Sequence, residues 1–192
     1  MNYPNGIKKS KINTNNMINY SNRGMGLENE INATNEYYLN NNIAVIYKKP
    51  TPITITKVDY PSRYDAVIKE AYFKTPSTTD YNGIYKGKYI DFEAKETKSK
   101  TSFPIYNIHQ HQINHLERII NHGGIAFIIV RFTTLNKTFL LDAEKLIQYI
   151  GTYKKKSIPI SFFESKGYII KDGFNPVIDY LSIIDKYYLG GI

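Results

Sequence analysis

The chain has 192 residues, a formal net charge of +8 and no cysteine. That length suits one domain with a real hydrophobic core, and the missing thiols exclude disulfides and any cysteine-ligated zinc or iron–sulfur centre. The positive charge favours a polyanionic partner, but Asn, Lys, Ile and Tyr are abundant throughout, so the placement of the lysines says more than their total.

Residues 1–22 are rich in Asn and Lys and lack a sustained apolar run. They are expected to be a flexible basic arm rather than a signal peptide, followed by a single domain over 23–192. No segment approaches the length of an apolar membrane span, so a cytoplasmic protein without membrane attachment is expected. The pattern predicts a first helix over 25–40, with Leu27, Ile31, Thr34 and Tyr38 on its core face and Glu28 at the solvated edge. Strands are predicted over 43–47 and 53–58, separated by Pro50 and Pro52. Beyond them Tyr60, Arg63, Lys69, Tyr72, Phe73 and Lys74 interleave aromatic and basic groups. That composition suits stacking on unpaired bases and touching a phosphate backbone; it also suits packing within the segment itself.

Residues 81–96 read as a β-hairpin. Two turns are open to it, Asn82-Gly83 and Lys86-Gly87; the first leaves too short a strand, so the second is preferred. Positions equidistant from Lys86-Gly87 then face each other, which sets Asp80 opposite Glu93 and Thr78 opposite Lys95. Cross-strand partners have Cβ atoms roughly 4.5–5.5 Å apart, and two carboxylates that close repel unless a cation lies between them. A divalent metal gives the arrangement chemical sense. Side chains alternate along a strand, so Asp91, Glu93 and Lys95 share one face, and Ile90, Phe92 and Ala94 form an apolar face for packing on a helix. A solvated charged face is the bland alternative, and a Glu-x-Lys alone is a weak signal.

A helix is predicted over 107–121, capped by Asn107 and stopped by Gly123-Gly124, with Ile108, Ile113, Leu116, Ile119 and Ile120 along its apolar stripe. Gln112 points inward on that stripe and needs amide partners, either backbone groups or a metal and its water. His109, His111, His115 and His122 all fall on this helix. His111 and His115 are four apart, but no glutamate of a zinc-helix motif lies between them, so they are read as surface or DNA-facing. Residues 125–132 read as a buried central strand and 138–141 as another. Asp142 is expected to cap a helix through Ile150, and 176–188 a last helix bearing Ile178, Leu181, Ile184 and Tyr188. Lys86, Lys88, Lys95, Lys98 and Lys100 cluster around the acidic strand, a basic rim that attracts phosphate while carboxylates hold a cation. Lys154-Lys155-Lys156 suits such a surface or a merely solvated one.

The runs Ser77-Thr78-Thr79-Asp80-Tyr81-Asn82-Gly83 and Tyr89-Ile90-Asp91-Phe92-Glu93-Ala94-Lys95-Glu96-Thr97 resemble those of RecU, the Holliday junction resolvases of Gram-positive bacteria and mollicutes. Lys57-Val58-Asp59-Tyr60-Pro61 and Arg23-Gly24-Met25 match further signatures, and the resemblance extends from about Arg23 to Tyr188. It implies a restriction-endonuclease-like α/β core of the PD-(D/E)xK type, with a mixed central sheet flanked by helices and a stalk over 58–78 between strands two and three. Thr79 stands where the motif has its proline. By position Thr78, Asp80, Glu93 and Gln112 match the family's magnesium ligands, with Mn²⁺ expected to substitute, and Lys95 matches its transition-state-stabilising lysine. Asp80, Glu93 and Lys95 are thus the implied catalytic set; Arg23, Arg63, Lys69, Tyr72, Phe73, Lys74, Lys98 and Lys100 are candidate DNA contacts. The implied activity is magnesium-dependent resolution of four-way junctions by a homodimer, with RecA and the RuvAB branch-migration machinery as further partners. Two rival readings are a nuclease of linear duplex and a non-catalytic DNA-binding protein of recombination.

Overall fold

The computed structural model describes residues 26–62, 64–74 and 78–190. In chain order its elements are α1 (Leu27–Asn40), β1 (Val45–Lys48), β2 (Ile53–Asp59), β3 (Val67–Phe73), β4 (Tyr81–Tyr85), β5 (Lys88–Thr97), β6 (Ser102–Pro104), α2 (Gln110–Asn121), β7 (Ile125–Phe132), β8 (Lys137–Asp142), α3 (Ala143–Tyr153), β9 (Ser157–Pro159), α4 (Ile160–Lys166), β10 (Tyr168–Ile170) and α5 (Leu181–Tyr188).

The apolar run of β7 is buried at every residue, because the sheet is covered on both faces there. Six strands lie in the order β1-β4-β5-β7-β8-β10. The β5–β7 pair is parallel and its neighbours are antiparallel, so α2 is the crossover that a parallel pair requires. On one face Ile90, Phe92 and Phe127 pack with Leu27, Ile31 and Tyr38 of α1 and Leu181 and Ile184 of α5. Tyr81, Phe92 and Phe127 stack in a column, with ring centroids 4.8 Å apart at each step. On the other face Ala126, Ile128 and Val130 meet Ile113 and Leu116 of α2 and Leu146 of α3. This is the mixed sheet between helix layers expected from the sequence.

Several boundaries differ from expectation for local reasons. The first helix is described from Leu27 and keeps the expected core face, Leu27, Ile31, Thr34 and Tyr38. The helix expected from Asn107 starts at Gln110 with His109 as N-cap; residues Ile105–Asn107 form a separate 3₁₀ turn. Ile108, extended between the two, is nevertheless buried. The last helix starts at Leu181 rather than Pro176, because the preceding segment folds back on itself and is closed by a β-bridge between Asp172 and Ile178. Ile178 N donates to Thr34 Oγ1 at 3.0 Å, and Gly173 N to Val177 O at 2.9 Å. Asp142 caps α3 as expected, accepting from Glu144 N at 2.7 Å.

Among the described residues the strands β2 and β3 pair only with each other, and all their residues are exposed except Val58, which is half-buried. The ribbon begins at Ile53, earlier than the expected start of a stalk at 58. Phe73 pairs with Ile53 and Tyr72 with Thr54, so these two aromatics, expected at the tip of the stalk, sit instead where the ribbon joins the body. The aromatics near the turn are Tyr60 and Tyr64, 71% and 97% exposed.

Candidate active site

The hairpin forms in the expected register: Tyr81 faces Phe92, Asn82 faces Asp91 and Tyr85 faces Lys88. Lys86 and Gly87 both have positive φ, 46° and 73°, the conformation that a two-residue turn between twisted strands demands. Gly83, the rival turn residue, lies inside β4, where β1 crosses so closely that a Cβ would meet Val45 O at 2.1 Å.

Regular pairing between the two strands ends at Tyr81 and Phe92, yet Asp80 and Glu93 still come together. The Asp80 amide donates to Glu93 Oε2 at 3.1 Å, while the Asp80 carbonyl accepts from Lys49 N at 2.7 Å. Lys95 Nζ forms an ion pair with Glu93 Oε1 and lies 4.0 Å from Asp80 Oδ2. Thr78, expected opposite Lys95, lies before the ladder starts, with its hydroxyl directed to Thr79 O at 3.3 Å. The face carrying these groups is not a solvated strand face. The Glu93 side chain is fully buried and that of Asp80 is 40% exposed, so the pair runs from the interior to the surface.

Burial first, then the Asp80 carboxyl, push Glu93 up to about 7, against the pull of Lys95. Its buried Oε1 makes no hydrogen bond beyond the ionic contact with Lys95. One buried and one accessible carboxylate side by side fit a small divalent cation that keeps water and substrate oxygens in its shell. No group of three or more His, Asp or Glu side chains converges as a metal cage among the described residues, so two carboxylates would be the acidic contribution. The raised Glu93 has a consequence for stability. Between about 4.5 and about 7 the folded protein holds a proton that the unfolded chain has released, so folding stability falls as pH rises through that window. In EDTA, wild type is expected to lose on the order of 1–3 kcal/mol relative to Glu93→Gln between pH 4.5 and 8. Denaturant melts of both proteins at the two pH values check this, and parallel pH dependences would refute it.

Gln112 is buried at 4% exposure, as the helical pattern implied. Its Oε1 accepts from His109 N at 2.9 Å, closing the first turn of α2, and a carbonyl oxygen retains a second lone pair. The histidines do not form one exposed row. His109 and His122 are the cap residues of α2, the Nε2 of His111 is buried, and His115 turns inward to Asp91, with Nε2 3.1 Å from Oδ2.

Asp91 is the functional candidate that sequence reasoning passed over. Its position on the Glu93 face was legible; its complete burial and its partners were not. Lys49 Nζ donates to it at 2.8 Å, Tyr89 OH at 3.0 Å, and the Thr79 hydroxyl also bonds to it. Of the basic rim, Lys88, Lys98 and Lys100 are exposed, but Lys86 is paired with Asp185 at 2.7 Å. On the ribbon Lys69 lies 3.6 Å from Asp59, and Lys74, exposed, donates its amide to Pro52 O at 2.9 Å. Arg23, Arg63 and the arm over 1–22 lie outside the described residues.

A mixed six-stranded sheet between helix layers, with an Asp and a Glu-x-Lys meeting on its central hairpin, places the protein in the mixed α/β class. The family model described as Recombination protein U matches residues 22–186. This chain belongs to that family, RecU. A relative from Geobacillus sp. (strain WCH70), named Holliday junction resolvase RecU, is 60% identical over 173 residues, covering 88% of this chain and 86% of that protein. Another of the same name, from Oceanobacillus iheyensis, is 54% identical over 197 residues, covering 98% of this chain and all of that one. A solved structure of an Archaeoglobus fulgidus Holliday junction resolvase, Hjc, has a TM-score of 0.35 and 13% identity over 48% of this chain and 70% of its own.

Proposed function

We propose that this protein is a magnesium-dependent endodeoxyribonuclease that resolves four-way DNA junctions by paired, symmetric nicks during recombination and repair. The observation that carries the reading is the meeting of Asp80, buried Glu93 and Lys95 at the surface end of one hairpin, in a chain whose relatives are named Holliday junction resolvases. Asp80 and Glu93 would hold the magnesium, with Thr78 and Gln112 completing or orienting its shell; manganese would substitute. When bound there, the cation supplies polarisation of a phosphate oxygen and a lowered pKa for an attacking water. Lys95, beside both carboxylates, orients that water or offsets charge gathering on the phosphoryl oxygens. In-line attack leaves a 5′-phosphate and a 3′-hydroxyl. Exposed Lys98 and Lys100, just past the site strand, are placed to hold the DNA backbone.

A junction has near two-fold symmetry, so two opposed nicks call for two sites, which a C₂ homodimer supplies. RecA and the RuvAB machinery are partners consistent with that role. No helix among the described residues is long and apolar enough to cross a membrane. The deciding experiment compares cleavage of a four-way junction and its matched duplex, each with and without magnesium. Equal cutting of both DNAs would favour a general duplex nuclease, and binding without magnesium-dependent nicking would favour a non-catalytic protein.

Selectivity for branched DNA is assigned to the exposed ribbon. Tyr72 and Phe73 are 59% and 84% exposed, so replacing them removes little core packing, and base–aromatic stacking is worth about 1–3 kcal/mol per base. The double change Tyr72→Ala/Phe73→Ala is expected to weaken junction affinity about tenfold or more, with duplex affinity nearly unchanged. Gel shifts on both DNAs measure this. Equal losses on the two, in a mutant with wild-type circular dichroism, would move the selectivity elsewhere in the dimer.

A further inference from the structure

The carboxylate of Asp91 is fully buried two residues before Glu93 on the same face of β5. It gathers donors from three segments remote in sequence: Thr79 Oγ1, Lys49 Nζ at 2.8 Å and His115 Nε2 at 3.1 Å. Each segment leads directly to a group of the candidate site. Thr79 precedes Asp80. Lys49 also donates its backbone amide to the Asp80 carbonyl at 2.7 Å, and its ammonium donates to Thr79 Oγ1 at 3.0 Å. His115 stands one helical turn after Gln112 on α2. Tyr89 OH bonds to the same carboxylate at 3.0 Å, and is itself fixed by Asn82 Nδ2 at 3.1 Å. Asp91 therefore sits where the segment bearing Asp80, the end of β1 and helix α2 converge on the strand bearing Glu93 and Lys95.

A buried charge network of this kind is a poor source of net stability, because desolvation offsets much of the attraction. What it supplies is geometry. Carboxylates that hold a metal need partners behind them, and losing such partners typically costs about 10–100-fold in metal affinity or activity. We propose that Asp91 is a positioning residue, acting through Thr79, Lys49 and His115 to lock the Asp80 segment and helix α2 against β5 so that Asp80, Glu93 and Gln112 form one site. This rests on the reading of those three residues as the magnesium site. Asp91 touches neither substrate nor metal in this role.

The test removes one link at a time. Thr79→Val deletes the hydroxyl that ties the Asp80 segment to Asp91; Thr79→Ser keeps it. Calorimetric titration of each metal-free protein with magnesium chloride is expected to show affinity about tenfold weaker in Thr79→Val and restored in Thr79→Ser. The single-turnover rate on a four-way junction should follow the same order, with junction affinity in EDTA unchanged. Asp91→Asn should move magnesium affinity and rate in the same direction and further. If it fails to fold, the Thr79 pair still decides. Wild-type magnesium affinity and rate in Thr79→Val overturn the proposal, as does equal impairment of Thr79→Val and Thr79→Ser. Wild type run alongside separates the two levels: if it binds no magnesium, the site reading falls and this inference with it, whereas a magnesium-binding wild type matched by Thr79→Val sinks this inference alone.

Discussion

Replacing Glu93 by Gln is expected to lower junction cleavage by on the order of 10³-fold or more while leaving junction binding near normal. The substitution keeps the shape of a fully buried side chain and removes the charge that would hold the cation opposite Asp80. Binding should survive because Lys98 and Lys100, proposed to meet phosphate, lie past the end of the strand that carries Glu93. Without magnesium, affinity should rise slightly, since one of two carboxylates that repel phosphate is gone. The amide acceptor Oε2 has a counterpart in glutamine, so the contact with the Asp80 amide can persist and the hairpin should stay folded. Cleavage rates and gel-shift affinities measured on the same preparations check both halves. Wild-type cutting by the variant would remove Glu93 from the site, and a matching loss of binding would point to misfolding or to a DNA-contact role.

The second large effect is at Lys95. Its ammonium pairs with Glu93 and reaches Asp80 at 4.0 Å, so it stands at the accessible mouth of the carboxylate pair with its side chain 25% exposed. In the proposed reaction a cation at that point would meet the phosphate where negative charge accumulates, and removing one such contact costs roughly 10²-fold in rate. Lys95→Ala is accordingly expected to lose about 10²-fold in single-turnover cleavage with little change in magnesium affinity, because an ammonium is not a metal ligand. Calorimetry and single-turnover kinetics together discriminate. Loss of magnesium binding with a surviving rate would contradict the role given to Lys95. Lys95→Arg tests charge against shape: it keeps the positive charge but spreads it over a planar fork, so partial recovery is expected.

What the sequence determined by itself was local and periodic. The β4–β5 register followed from the two-residue turn and alternating side chains, because both are settled within sixteen consecutive residues. That register carried Asp80 to Glu93 and put Asp91, Glu93 and Lys95 on one face. The core stripe of α1, the buried run of β7, the Asp142 cap and the Gly123 stop are legible for the same reason: each depends on neighbours within a few residues. Tertiary structure decided what lies over each face. Helix α2 comes back across β5 as the crossover to β7, and this turns a charged strand face into a buried one, which no alternation pattern on β5 announces. The partners of Asp91, Lys49 and His115, lie 42 and 24 residues away, and only the packing of separate layers brings them together. The same cause moved the start of α5, where the Thr34 hydroxyl of α1 accepts from the Ile178 amide from 144 residues away. It also placed Tyr72 and Phe73 at the root of the ribbon, since their position depends on where β2 begins to pair, and that pairing is a contact between strands rather than a property of either one.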